Sequence, residues 1–370
     1  MIREDFPSLA PYHSRPDVQA AEDGLSLAAA NSWVPHDIVL KDAWFPLAHA
    51  HQVTTRPIRR AIYGHAFYLW REDGRAVAAA FHPAAPEKRE TDPYTDARGR
   101  YPALERYGIV WGWFGRPAAA DPVHLPDIPV LPPHGGLPHH MLGTVRFDSA
   151  APVSLENLLD LTHADFLHPH VLGDPRSDSE TIETFWTSET VTMVRTCTGK
   201  SVAPVMKFFS GIRQPTQNIR QVIHIFLRSH VAIAYGRFSP GDDVPLFHPC
   251  VPETRDRTRQ DYAMNTSYAG LLFRHVMPKA AYMVSREDSS MTAPQSPRYM
   301  AETGRRDLHS RFDAAGQRYR IAMQALAARQ AAGDFAYRDN VSADCSALIG
   351  LRKDQFRYCR GAGGRAAGAT

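Results

Sequence analysis

The sequence predicts an α+β protein in two parts, a small N-terminal β unit and a larger unit that joins an antiparallel sheet to long helices. Three observations lead to this prediction. Short apolar runs separated by turn residues occupy residues 42–116. A second series of strand-like segments with short turns fills residues 181–270 and indicates antiparallel pairing. Helical periodicity follows in residues 271–291 and 305–330.

Length and composition indicate an ordinary globular protein. A chain of 370 residues, 44% hydrophobic and 22% charged, has room for two domains and a substantial core. A formal charge of +3 is too small to indicate nucleic-acid binding. No segment approaches the roughly 18 apolar residues of a membrane span, and the first residues lack the apolar core of a signal peptide. We therefore expect a soluble cytoplasmic protein that binds neither nucleic acid nor membrane.

Cysteine usage agrees with a reducing compartment. The four cysteines are far apart and form no Cys-x2-Cys pair: Cys197, Cys250, Cys345 and Cys359. We expect them to be reduced, without a disulfide framework.

The N-terminal half divides into an arm, a β unit and a linker. Residues 1–41 read as a proline-containing arm with one helix near Leu25–Ala30. The β unit, residues 42–116, has a hairpin turn at Asp73-Gly74. Its expected strands are Trp44–Ala48, Ile58–Ile62, Ala66–Trp70, Ala76–Phe81 and Tyr107–Phe114. Residues 117–140 are rich in proline and predict a semi-rigid linker.

Three histidines lie in that linker, His134, His139 and His140. Histidines grouped in this way could bind a metal. Without a helical or strand frame to hold them, we favour the interpretation that they are surface residues.

The second unit, residues 141–340, combines strands and helices and precedes a tail of residues 341–370. Six strands are expected: Thr181–Trp186, Thr190–Cys197, Val202–Phe209, Asn218–Phe226, Val231–Ser239 and Gln260–Gly270.

A further helix is predicted before these strands, with Ser154 as its N-cap. Its apolar spacing comes from Leu155, Leu158, Leu159, Thr162 and Phe166. Asp160 and His163 are three residues apart, so they would share a face of the helix. His168, five residues after His163, would be turned away by roughly 140° on an ideal helix. Pro169 disfavours helical geometry at His168, which lets that ring swing back and predicts a metal site at a helix end.

This segment resembles a known motif. Asn-x2-Asp-x2-His-x4-His-Pro, beginning at Asn157, resembles the mononuclear iron motif of Rieske-type ring-hydroxylating and demethylating oxygenases. The order Trp-x-Pro, hairpin, Asp-Gly-Arg-x-Val and Gly-Ile-Val-Trp-Gly-Trp-Phe-Gly resembles the N-terminal Rieske domain of that family. Over residues 42–330 the resemblance implies a degenerate Rieske-like β domain, followed by a helix-grip domain in which a curved antiparallel sheet wraps a long C-terminal helix. The alternative is two ordinary histidines in a protein that has 18.

The Rieske-like part departs from the family pattern. A Rieske cluster needs two cysteines and two histidines, and this sequence has no cysteine before Cys197. Phe81-His82-Pro83 stands in place of the family's first ligand loop, and the second ligand loop is missing. We therefore expect no [2Fe-2S] cluster in this chain and interpret His82 as a structural relic.

The resemblance also implies a third ligand for an Fe(II) ion held by His163 and His168. Residues 285–295 resemble the family segment Glu-Asp-x2-aliphatic-x3-Gln, with Asp288 in the ligand position. Glu287 is the nearest substitute for Asp288. The alternative to a ligand role for Asp288 is that Ser285 and Asp288 form a capping arrangement at the start of a helix.

A second rival ligand is Asp313, although its segment resembles the family's later C-terminal helix. In the family, the aspartate that matches Asp160 lies between the iron and the Rieske cluster of a neighbouring subunit. The resemblance thus assigns Asp160 a role in the path to the metal.

Two functions follow from these observations. The first is a mononuclear iron oxygenase component that hydroxylates or oxidatively demethylates a small aromatic or heteroaromatic substrate with O2. It would receive electrons from a Rieske-bearing subunit or a ferredoxin and reductase, in a trimeric or hexameric assembly. The second is a non-catalytic structural or ligand-binding subunit of such a hetero-oligomer. Candidate pocket residues on the expected strands are Phe208, Phe226, Tyr235 and Asn265.

Overall fold

A computed structural model describes most of the chain. The described residues are 33–88, 92–131, 139–169, 175–204, 207, 212–241, 243–266, 270–301, 307–310 and 312–351. The expected helix near Leu25–Ala30, together with His134 and Cys359, lies outside them.

Fifteen strands and six α-helices are found in the described residues. The strands are β1 (Ala43–His49), β2 (Ile58–Ile62), β3 (His65–Glu72), β4 (Arg75–Ala79), β5 (Arg100–Tyr101), β6 (Ala103–Arg106), β7 (Ile109–Phe114), β8 (His139–Phe147), β9 (Ser179–Trp186), β10 (Thr190–Ser201), β11 (Thr216–Phe226), β12 (Val231–Ser239), β13 (Val244–Pro249), β14 (Val251–Pro252) and β15 (Thr258–Thr266). The helices are α1 (Ala151–Leu158), α2 (Ala164–Leu167), α3 (Gly270–Thr292), α4 (Gln295–Ala301), α5 (Ala314–Ala331) and α6 (Ser346–Ile349). None of the helices in the described part is long and apolar enough to cross a membrane.

The N-terminal β unit consists of two small antiparallel sheets, ordered β1-β7-β6 and β2-β3-β4-β5. Asp73 and Gly74, both with positive φ, form the predicted hairpin turn between β3 and β4. Every residue of β1 and β7 is buried. One face of this sheet packs inside the β unit, and the other face packs against the second unit. Phe45 packs inside the β unit, whereas Trp111 packs against Phe247 of the second unit.

The second unit is built on one eight-stranded sheet, ordered β14-β15-β13-β12-β11-β10-β9, with β8 also paired to β15. All its neighbouring strands are antiparallel, as the short turns predicted. Strands β8, β13 and β14 were not predicted, and the first two residues of β8 fall within the predicted linker. The expected strand at Val202–Phe209 is wrong at its start, where Val202 and Ala203 lie outside any strand.

Helices α1 and α5 cover one face of this sheet. Strand alternation places Val191 and Met193 of β10 on that face, where they form a core with Leu155 of α1 and with Tyr319 and Met323 of α5. A long helix held against a wrapped antiparallel sheet confirms the predicted α+β architecture.

Two helix predictions need correction. The helix expected over residues 305–330 begins only at Ala314, and Leu308, which extended its periodicity, is 98% exposed. The helix expected from Ser154 to His168 is two helices, α1 and α2, separated by a turn. Ser154 is not its cap, because α1 already begins at Ala151 with Pro152 in its first turn.

The described parts of the linker and the tail are packed rather than free. Leu125, Ile128 and Val130 of the linker share a core cluster with Leu131 and with residues of both units. Cys345 and Ile349 join the same cluster from the tail. The domain boundaries stay predictions. Residues of both units pack together in one of the hydrophobic clusters.

Candidate metal centre

The turn between α1 and α2 carries the histidine motif. His163 is the N-cap residue of α2, and His168 follows its end with φ −118° and ψ 41°, outside helical geometry. Pro169 accounts for this break, because its ring disfavours the helical region for the residue before it. The four-residue helix therefore separates the two histidines while their rings approach to 5.4 Å between centroids.

His163 is fixed by the backbone of the turn. Its Nδ1 donates to the carbonyl oxygen of Asp160, which can only accept, so the proton of a neutral ring lies on Nδ1. Its Nε2 lies 3.3 Å from Asp288 Oδ1. The Asp160 carboxylate accepts instead from the backbone N–H of Thr162 at 3.0 Å and its hydroxyl at 2.5 Å. The expectation that Asp160 shares a helix face with His163 is therefore wrong; the two are linked through the Asp160 carbonyl.

His168 is held by two carboxylates on α3. Its Nδ1 lies 2.6 Å from Glu287 Oε2, and its Nε2 lies 3.0 Å from Asp288 Oδ1. Glu287 thus contacts the nitrogen that faces away from the other histidine. Asp288 contacts the Nε2 atoms of both rings, which distinguishes the two neighbouring carboxylates.

The position of Asp288 excludes the capping alternative. Ser285 and Asp288 lie deep within α3, and the Ser285 hydroxyl donates to Ala281 O at 2.8 Å. Asp313, the other rival, is the N-cap residue of α5 and accepts from the backbone N–H of Ser310 at 2.5 Å. It lines a different cleft from the one that Asp288 lines.

Electrostatics keep the Asp288 carboxylate ionised. Burial raises the pKa of Asp288, but hydrogen bonds from His163 and His168 outweigh it and hold that pKa well below its usual range. Burial likewise lowers the pKa of His168, while its bonds to Asp288 and Glu287 raise it overall. An anion therefore sits between two imidazoles, where a cation would be bound favourably.

The residues present fit a metal ion. Ligand atoms of His163, His168 and Asp288 all lie within 4.8 Å of one another. Two imidazoles and one carboxylate are the donor set of non-haem Fe(II) oxygenases, which leave positions open on the metal. Hydrogen bonds engage both Nδ1 atoms, so each ring would offer its Nε2 atom to a metal ion, which would displace the protons now shared with Asp288.

A small cavity adjoins Asp288. Its volume is about 180 Å³, and β13, β15 and α3 form its walls. Its lining is mostly apolar, with a few polar groups: Leu246, His248, Gln260, Tyr262, Met264, Met277, Ala280, Ala281, Val284, Ser285 and Asp288. Burial lowers the pKa of His248 to about 4, so this imidazole is neutral near pH 7.

Other predicted site residues lie elsewhere. His82 is exposed, and its Nδ1 accepts from the backbone N–H of Ala84 at 3.2 Å. Phe226 and Tyr235, expected in the pocket, are buried in the shared core and do not line the cavity beside Asp288. Phe208 lies outside the described residues, as do the side chains of Asn265, His139 and His140.

Comparison with known proteins finds a family model that matches most of the larger unit. The model of the vanillate O-demethylase oxygenase C-terminal domain matches residues 147–329. A putative toluene-4-sulfonate monooxygenase system iron-sulfur subunit of Comamonas testosteroni is 25% identical over 171 residues, 37% of this chain and 48% of that protein. A vanillate O-demethylase oxygenase subunit of Pseudomonas sp. (strain HR199) is 26% identical over 259 residues, 64% of this chain and 71% of that protein.

Solved structures show the same fold. Dicamba monooxygenase bound to dicamba superposes with a TM-score of 0.64 at 18% identity, over 80% of this chain and 99% of that chain. In most of the curated relatives that it matches, the chain spans about half of the length or less.

Proposed function

Because residues 147–329 are a catalytic domain of the Rieske-type oxygenases, we propose that this chain is a mononuclear non-haem iron oxygenase component. We further propose that it hydroxylates or oxidatively demethylates a small aromatic or heteroaromatic compound. The observation that carries the proposal is the convergence of His163, His168 and Asp288 within 4.8 Å beside a cavity.

When bound, Fe(II) would supply dioxygen activation, which inserts one oxygen atom into a substrate C–H bond and reduces the other to water with two electrons and two protons. Applied to a methyl ether, this chemistry gives a hemiacetal that releases formaldehyde. The donor of the two electrons must be a separate redox partner if the chain holds no cluster.

The chain's own residues would hold and orient the reactants. His163, His168 and Asp288 would bind the metal, while Glu287 and the Asp160 carbonyl fix the two imidazoles by their Nδ1 atoms. The cavity would place the substrate next to Asp288. A dry cavity of roughly 150 Å³ holds one benzene molecule, so about 180 Å³ suits a single aromatic ring with small substituents.

We propose that the electrons come from a Rieske cluster on another polypeptide. No cysteine precedes Cys197, so the Rieske-like unit lacks the thiolates that such a cluster requires. One relative is named as an iron-sulfur subunit, and a solved carbazole 1,9a-dioxygenase oxygenase is in complex with a ferredoxin.

Asp160 supports the same proposal. It lines a cleft of about 560 Å³ with the charged residues Glu156, Arg298 and Asp313, outside the substrate cavity. A trimeric or hexameric assembly with a Rieske-bearing subunit would place that subunit's cluster near this cleft.

The second candidate is a non-catalytic subunit, which the missing cysteine ligands favour. The two functions differ in metal content and in O2 consumption. We expect protein reconstituted anaerobically with Fe(II) to hold one iron per chain, and to consume O2 with a single-ring aryl methyl ether only when reductase and a Rieske protein are present. Full iron occupancy without turnover for any partner tested would favour the non-catalytic subunit.

A further inference from the structure

The turn that carries His163 is tied to the sheet by one arginine. Arg195 of β10 donates from Nη1 to the carbonyl oxygen of Leu161 at 2.8 Å and from Nη2 to Asp165 Oδ2 at 2.5 Å. These two acceptors stand two residues before and two residues after His163. A third bond, from Nε to Glu180 Oε1 at 2.6 Å, anchors the guanidinium to β9.

The environment of Arg195 makes this link rigid. The Arg195 side chain is 2% exposed and that of Asp165 is 6% exposed, so neither moves freely into solvent. Lys200 donates to the same Asp165 oxygen at 2.7 Å. Two cations thus face two carboxylates, and each buried charge has hydrogen-bonding partners, which is what buried ion pairs require.

The turn needs such an outside partner. Residues 159–163 lie between two helices, so the carbonyl of Leu161 is not used by a continuing helix. Within the turn, only the Asp160 carboxylate and carbonyl make side-chain links among the described residues, to Thr162 and His163. Arg195 therefore ties the backbone of this turn to the sheet by hydrogen bonds, in addition to the apolar packing of Leu159 and Leu161 against the core.

We propose that Arg195 is a positioning residue of the metal centre, which sets the aim of His163 by clamping the backbone at Leu161 and the side chain of Asp165. The inference rests on the proposed metal site. A lysine at this position keeps the charge but cannot span three separate acceptors, because only the guanidinium carries a planar fork of five donors.

The test is Co(II) binding by metal-free protein, followed by visible absorption, with thermal unfolding measured on the same samples. In Arg195→Lys we expect Co(II) affinity to fall by about 10- to 100-fold, the usual effect of removing a group behind a metal ligand. The cobalt spectrum should also change, because the turn that carries His163 is no longer clamped to the sheet at Leu161 and Asp165. Lys200→Met should weaken binding less, since Arg195 keeps its bond to Leu161.

A matched control is Arg228→Lys. Arg228 is as buried as Arg195, pairs with Glu189 at 2.7 and 2.8 Å, and also donates to backbone carbonyls, those of Phe335 and Ala336. None of these acceptors belongs to the metal-binding turn. This variant should unfold at a lower temperature and keep wild-type Co(II) affinity.

Four outcomes separate the possibilities. Unchanged Co(II) affinity in Arg195→Lys, or an equal loss in Arg228→Lys, would overturn the inference. Should Arg195→Lys fail to fold, Asp165→Asn tests the same clamp from the other side, and unchanged affinity there would overturn it too. Wild-type protein that binds no Co(II) would instead remove the proposed metal site.

Discussion

Two histidine–carboxylate pairs in this molecule have the same hydrogen-bond geometry but different neighbouring groups. His65 of the β unit lies 2.6 Å from Asp92 through Nδ1, as His168 of the second unit does from Glu287. Asp92 also accepts from the Tyr101 hydroxyl at 2.8 Å and the backbone N–H of Tyr94 at 2.9 Å. Among the described residues, His65 belongs to no group of three or more side chains that could hold a metal ion.

The two pairs differ in whether the second ring nitrogen of the histidine faces another possible metal ligand. The bonds to Asp92 close a short loop of the β unit, and its carboxylate is saturated by neighbours, so the pair is a structural anchor. Behind His168, Glu287 makes one such bond and leaves Nε2 facing Asp288 and His163. Hydrogen bonds behind histidine ligands orient their rings toward the ion in known metal sites, and this supports the proposed site at His168.

The largest expected effect is loss of metal from the second pair alone. Single replacements His163→Ala, His168→Ala and Asp288→Ala each remove a ligand, so Fe(II) occupancy should fall to near background by elemental analysis. The matched variant His65→Ala should lower thermal stability but leave occupancy at the wild-type level. Metal lost equally from His65→Ala would show that the two pairs do not differ in the way described.

A smaller effect separates the two carboxylates on α3. Glu287→Gln should weaken Fe(II) or Co(II) binding by about 10- to 100-fold, because it removes the charge that supports His168 but no ligand. Asp92→Asn, the equivalent change behind His65, should not alter metal affinity. If Glu287→Ala abolished binding while Asp288→Ala kept it, the ligand would be Glu287.

Local rules predicted part of this arrangement from the sequence. Apolar patterning and short turns predicted the antiparallel sheets. Pro169 predicted the end of the helix at His168, because the residue before a proline avoids helical geometry. The family resemblance named His163, His168 and Asp288, and their role as metal ligands stays a prediction. Periodicity failed at Leu308, whose spacing continued a helix that the chain does not form there.

Long-range partners could not be predicted in this way. Arg195 and Asp165 are 30 residues apart, and their contact depends on how β10 is placed against α2. His248 and Asp288 meet at one cavity because β13 packs near α3. Strand register and helix docking decide such contacts, and neither leaves a local pattern in the sequence. The only signal for Arg195 was a charged residue among apolar ones on a predicted strand.

Asp160 gives a third prediction, which concerns rate rather than binding. Asp160→Asn keeps the backbone carbonyl that holds His163, so iron content should stay near the wild-type level. Turnover with a reductase and a Rieske partner should fall strongly, because the proposed role of the carboxylate is in the path to the metal. Wild-type rates in Asp160→Asn, or full turnover without any Rieske protein, would contradict the proposed electron path.

The smallest effect concerns two buried histidines that contact no carboxylate of the described residues. Burial lowers the pKa of His224 to about 4 and that of His230 to about 3, against about 6.5 in an unfolded chain. Between pH 6.5 and 4 the unfolded state therefore binds more protons than the folded state, so the free energy of unfolding falls as pH falls. Each such imidazole adds a slope of at most about 1.4 kcal/mol per pH unit.

Denaturant unfolding of metal-free protein at several pH values measures this slope. His224→Gln should reduce it over this window, because glutamine cannot take up the proton. His230 of the second unit contacts the β unit directly, because its Nε2 lies 2.9 Å from the Tyr63 hydroxyl. Protonation of His230 would place a charge in that contact, so acid should loosen the β unit from the sheet before it unfolds the sheet itself. Simultaneous loss of both units at every pH, followed by tryptophan fluorescence and far-UV circular dichroism, would contradict this order of events.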